Sequence, residues 1–252
     1  MVTPQLSFRA GLLLALVLAS NVASAQTTGQ LWGNVTLDWV SKSWLTYSVD
    51  FEPKILVSAP PDEPGWRNLD VTPSIEFSVA RWLDVISEAT IGETKQTDDV
   101  NSTEFTVRAG GRFHLFSRQE RLLFKEHLPK RRLVLRDLVR MEWRHFSYSN
   151  DKPSESTARF RNRLEMLLPV NRPSLGDDGA VYLLADWEWF IPVSDQDERF
   201  ANRHRFRGGV GYRRSRAWRF TALYMRTRSR DTTDEPFTTS ENILNLLVKR
   251  VW

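Results

Sequence analysis

In the stretch WRHFSYSND, His145 and Ser147 stand two residues apart, which on an extended strand puts both side chains on one face. An imidazole beside a hydroxyl can take its proton and create a nucleophile, provided a third polar group orients the ring. The pair continues the face that carries Val139, Met141 and Trp143, so it belongs where an apolar surface meets water. The plainer reading is of polar residues at the end of a strand. His114, His127 and His204 show no metal-ligand spacing such as H-E-x-x-H. There is no cysteine, which excludes disulfides, thiolate metal sites and cysteine nucleophiles together. No metal and no cofactor is expected. The glycines of RAGGRF and FRGGVGYRR lie inside strand patterns and open no helix, so they relieve crowding or bend the sheet rather than cradle phosphate.

The His145 and Ser147 pair resembles the H-x-S pair of outer-membrane phospholipases and lipid A deacylases. That resemblance implies an orienting group on the neighbouring strand. The roughly corresponding position here is Arg159, a cation that opposes formation of imidazolium. Asn162 substitutes for it only if the intervening loop shifts register. A lipid hydrolase is therefore the alternative reading, and a chain without a catalytic centre the main one.

A larger set of charged residues recurs with period two. Early segments carry mainly acids, Asp50, Glu52, Glu76 and Glu88 among them. Later segments carry Arg136, Arg140, Arg144, Arg159, Arg161, Arg163, Arg203, Arg205 and Arg207, relieved by Asp186 and Glu188. If lipid takes the apolar face, these charges line an enclosed lumen, with an acidic wall facing a basic one. Long arginines then either pair with carboxylates and close the interior, or leave water and a transverse field through which small polar or anionic solutes pass. The number and length of the side chains favour the closed or very narrow interior. Arg226 and Arg228 stand apart from this set. They continue the face of Trp218, Phe220, Ala222 and Tyr224 to the outer rim, where lipopolysaccharide phosphates are natural partners.

The elements that must position these residues are long strands. Alternation of apolar and polar residues runs through eleven segments, at about 30–40, 44–58, 68–80, 82–95, 102–117, 131–149, 157–168, 180–193, 200–213, 217–229 and 241–252. Most are about twice the ~5 to 6 residues of an ordinary strand. Between them lie turn-rich pieces such as APPDEPGWRN, SNDKPSES and DTTDEPFTTS, with no linker, so residues 26–252 form one domain. Residues 1–25 read as a cleaved secretory signal: one cation at Arg9, a short apolar run, then Ala23 and Ala25 before Gln26. No later run is long enough for a spanning helix. A membrane protein of this composition is a closed antiparallel transmembrane β-barrel, all-β, exported to the outer membrane of a Gram-negative bacterium. The rival without a membrane is a periplasmic lipid-binding β protein with its apolar face inward. A surplus of 35 lysines and arginines over 31 acids is too small to point to nucleic acid.

Tryptophans cluster where strands end, as two interfacial girdles require. The chain stops on ILNLLVKRVW, apolar at alternate positions with an aromatic last residue, like the signal that barrel-assembly machinery reads. Arg250 holds a place in that series where an apolar residue is usual. The stretches QLWGNVTLDWV, GWRNLDVTPSIEFS, RRLVLRDLVRMEWRHF, LLADWEWFIPV and RFANRHRFRGGVGYRRS resemble a bacterial domain-of-unknown-function family of outer-membrane barrels. The resemblance implies fold and compartment and supplies no reaction. Both termini of such barrels face the periplasm, so the strand count is even. Twelve strands are expected, the twelfth at Leu122 to Glu126, with ten as the alternative. The expected function is structural or that of a narrow charge-lined pore, and the oligomeric state is open.

Overall fold

A computed structural model describes residues 27–61, 63–97, 100–116, 133–193, 203–230, 237 and 239–252. The expected signal, His127 and the Leu122 to Glu126 segment lie outside the described residues. Eleven strands follow one another: β1 (Thr27–Lys42), β2 (Leu45–Ser58), β3 (Trp66–Ala80), β4 (Leu83–Gln96), β5 (Ser102–Phe116), β6 (Val134–Tyr148), β7 (Glu155–Pro169), β8 (Ala180–Pro192), β9 (Arg203–Arg213), β10 (Trp218–Ser229) and β11 (Thr239–Val251). Each pairs antiparallel with the next, and β1 pairs with β11 to close a barrel.

The closing pair corrects the expected strand count. β5 pairs directly with β6, so no strand stands between them in the ring, and the barrel has eleven strands rather than twelve or ten. An odd count makes the first and last strands run the same way. They meet in a parallel pair, from Thr27 opposite Ser240 to Asp38 opposite Val251. Parallel ladders are slightly weaker per residue, yet they leave no open edge. Side chains reinforce this seam. Thr27 Oγ1 lies 3.0 Å from Ser240 Oγ, and Lys249 Nζ lies 2.6 Å from Asp38 Oδ2. Trp252 stacks on Trp39 with ring centroids 5.3 Å apart, while its amide donates to the Asp38 carbonyl. The last residue is thus tied to the first strand.

Because side chains alternate across each strand, one face of the ring looks out and the other in. The outward face keeps large apolar groups exposed, among them Val35, Phe51, Ile91, Phe105, Leu183, Val210 and Leu246. Aromatic rings collect at both ends of this band. At the end carrying Trp252, Trp44 stacks on Phe77, Trp82 on Phe113 and Trp218 on Phe220. At the far end, Trp187 stacks on Trp189. Arg250 keeps its place in the apolar series by lying over the rings of Trp218 and Trp252, at 4.6 and 5.2 Å.

Among the described residues the interior has no continuous apolar core. Two small clusters remain, Trp32 with Leu223, Met225 and Ile243, and Val134 with Leu167, Leu175 and Tyr182. Leu175 is part of the β7–β8 connection and is buried against inward-facing strand residues, where Arg213 Nη1 donates to its carbonyl. That connection therefore folds over the mouth at the Trp252 end. Glycines fit the tight places: a Cβ on Gly211 would strike the Tyr182 ring, and one on Gly110 would strike the Val139 carbonyl.

Candidate functional site

Inward parity on consecutive strands gathers the charged residues around one cavity of about 560 Å³. Asp50 and Glu52 line it from β2, Glu76 from β3 and Glu88 from β4. Arg136, Arg140 and Arg144 approach from β6, Arg159, Arg161 and Arg163 from β7, and Arg203, Arg205 and Arg207 from β9. Asp186 and Glu188 are buried in the wall on β8. Acids thus predominate on β2 to β4 and guanidinium groups on β6 to β9.

The ion pairs run around the wall between nearby strands. Two carboxylates with no exposed surface, Glu142 on β6 and Glu188 on β8, are the hubs. Glu142 accepts from Arg159 Nε at 2.5 Å and Arg161 Nη1 at 2.5 Å, and Arg108 forms an ion pair with it, Nε lying 2.8 Å away. Arg161 also places Nη2 2.7 Å from Glu188, whose other neighbours are Arg140 at 3.5 Å and Arg205 at 3.8 Å. Arg140 in turn places Nη1 2.7 Å from Glu88 on β4. A chain of alternating charge therefore connects β4 to β9 without a break. Burying so many ions is tolerable only because each hub carboxylate meets several guanidinium donors.

Smaller groups flank this chain. Arg207 Nε donates to both oxygens of Asp186 at 2.7 and 2.9 Å, and Arg136 pairs with Glu165. Arg112 lies 2.8 Å from Glu76, and His114 Nε2 lies 2.7 Å from Asp84. Arg144 grips Glu104 through Nε at 2.9 Å and Nη2 at 3.3 Å. On the acidic side, Lys54 bridges Glu52 at 2.8 Å and Asp70 at 2.5 Å, while Asp50 accepts from the Thr36 hydroxyl.

Two aromatic rings join the charges: Phe190, which sequence reasoning missed, and Trp32, which the clustering at strand ends counts with the girdle tryptophans and which is instead buried inward against Leu223 and Met225. The Phe190 ring lies within 4.5 to 5.3 Å of the guanidinium carbons of Arg159, Arg161, Arg203 and Arg205. Trp32 carries Lys54 on its ring at 4.6 Å and Arg205 at 5.2 Å, which links β2 to β9 across the seam. The signal was available: Phe190 shares the parity of Asp186 and Glu188, and only its apolar character drew attention away. The hub role of Glu142 needed strand register as well.

On the outer face the arrangement differs from the one that the H-x-S spacing suggests. His145 and Ser147 are both exposed near the far end, but His145 Nδ1 makes its 2.9 Å contact with Ser156 Oγ across the β6–β7 hairpin. The hairpin register sets His145 opposite Ser156. Arg159 points inward to Glu142, and Asn162 lies opposite Val139, where its amide donates to Asp137 at 2.7 Å. Neither reaches the imidazole. Arg226 and Arg228 lie on the outer face of β10 beside Phe206 and His204.

No curated protein matches the chain. Among solved structures, LpxR from Salmonella typhimurium is similar with a TM-score of 0.46 and 7% identity, over 82% of this chain and 83% of that one. The model of the family described as "Protein of unknown function (DUF2490)" matches residues 29–238, and the chain belongs to that family.

Proposed function

We propose that the protein is an integral β-barrel of the bacterial outer membrane whose interior is a narrow, charge-lined and largely occluded lumen. One observation carries this reading: the large apolar side chains face outward and stay exposed, while the fully buried side chains include Glu142, Glu188 and Asp84. That is the inverse of a water-soluble protein, and hydrocarbon is the surrounding that makes it stable. A lumen lined by guanidinium and carboxylate groups is also no place for an acyl chain, which argues against a periplasmic lipid carrier. The C-terminal strand is the part suited to the barrel-assembly machinery, and on this reading its end lies on the periplasmic side with the start of β1 at the opposite end, so the expectation that both termini share a side does not hold for this closure.

Leu175 and the ion pairs narrow the passage, so the refolded protein in a planar bilayer should conduct far less than an open sixteen-stranded porin measured alongside it. Leu175→Asp should raise that conductance, because a carboxylate does not stay in the apolar cluster of Val134, Leu167 and Tyr182. Porin-sized openings in the unaltered protein would show an open pore instead.

The contact between His145 and Ser156 favours a second reading, a lipid hydrolase at the rim. We place it second because neither of the residues expected to orient the imidazole comes near it. Phospholipid or lipid A incubated with the refolded protein should yield no free fatty acid. Release that disappears in Ser147→Ala or Ser156→Ala would reverse the order.

A further inference from the structure

We infer that the outer face of β8 to β11 at the far end binds a phosphate group of a phosphorylated glycolipid, lipid A being the outer-leaflet source, through Arg226 and Arg228. The inference rests on the outer-membrane reading above, because it requires that face to meet headgroups.

Most arginines inside the barrel meet a carboxylate or a ring, as Arg161 and Arg207 meet carboxylates, and Arg250 at the Trp252 end lies over two rings. Arg226 and Arg228 have neither an ion pair nor a ring contact among the described residues. Arg226 is half-buried, and its Nε is enclosed with no hydrogen-bond partner. The outward positions of β8, β9, β10 and β11 include no Asp or Glu among the described residues. Two neighbouring cations on an acid-free surface at the edge of an apolar band have an unmet need for an anion.

The surroundings specify the kind of anion. Register places Arg226 between Phe206 and Asn242, and Arg228 between His204 and Ser240. The Tyr224 hydroxyl donates to Asn242 Oδ1 at 2.6 Å, which leaves the Asn242 amide nitrogen as a donor beside Arg226. Two strands over, on β8 beyond Phe206 and His204, Trp187 and Trp189 stack with centroids 4.5 Å apart and form a flat aromatic shelf. Donors above and aromatic and aliphatic surface below suit a molecule with a phosphate at headgroup depth and acyl chains beneath it.

The test uses the full barrel in detergent micelles, with bis-phosphorylated lipid A, phosphatidylglycerol, phosphatidylcholine and inorganic phosphate as probes, read by native mass spectrometry. Lipid A should bind, and Arg226→Gln with Arg228→Gln should weaken it on the order of thirtyfold. The charge-keeping pair Arg226→Lys with Arg228→Lys should retain most of the binding. Equal lipid A binding by the protein and the glutamine variant overturns the site. Displacement by millimolar inorganic phosphate overturns the lipid as ligand, and equal retention of phosphatidylglycerol overturns the glycolipid. Mobility of the unheated protein on gels and insertion into vesicles are read in parallel. A protein that fails to insert sinks the membrane reading, whereas one that inserts and ignores lipid A sinks this site alone.

Discussion

Glu142→Gln should destabilise the barrel by about 3 to 5 kcal/mol, read as a drop in the urea midpoint of tryptophan fluorescence or in the temperature at which the folded band is lost on gels. The side chain has no exposed surface and is met by Arg108, Arg159 and Arg161. Glutamine keeps the shape and removes the charge, so three guanidinium groups lose a shared counter-ion in a place that water reaches poorly. Arg161 keeps Glu188 and Arg108 keeps a longer contact with Glu88 at 3.7 Å, so the loss comes from removing the one charge that all three guanidinium groups share. Proximity to the cavity pulls the value toward the lower end, since water there screens part of the imbalance. A control fixes the scale. Glu93 pairs with Lys95 at 3.2 Å on the outside, both about half exposed, and Glu93→Gln should change stability by no more than about 0.5 kcal/mol. Equal effects at the two sites would mean that the interior is as wet as the surface, and that the lumen is open.

That contrast also shows which parts of this protein can be read from its residue order. Strand existence was legible because a two-residue period sustained over 11 to 16 residues has no other explanation, and all eleven strands lie within a few residues of where alternation places them. Facing was legible for the same reason. The number of strands in the ring was not, because it depends on how β1 meets β11, and nothing in either segment distinguishes a parallel from an antiparallel partner. Pairing partners were hidden too. Arg140 reaches Glu88 two strands to one side and Glu188 two strands to the other, which depends on strand tilt rather than on spacing. His145 met Ser156 instead of Ser147 because cross-strand neighbours on one face come closer than side chains two apart along a strand.

Val210→Arg tests the other half of the design, the outer surface, and should prevent assembly or cost about 2 to 4 kcal/mol. Val210 faces outward on β9 between Phe206 and Tyr212, with Leu183 and Ala222 beside it, and is 44% exposed. Val210 stands one pair inside the rim that Tyr212 and Phe220 help form, so a guanidinium there must reach past those rings to meet water. The sign of the effect decides between surroundings. In water an exposed valine is a liability of little weight, and arginine there should alter stability by no more than about 0.5 kcal/mol and improve solubility. In hydrocarbon the same change should abolish the folded band or lower its midpoint severalfold more than Glu93→Gln does. Refolding both variants side by side, into lipid vesicles and into buffer without detergent, makes the comparison direct. If Val210→Arg folds as well as the unaltered protein in vesicles, lipid does not contact that face, and the apolar belt must then be covered by another protein surface.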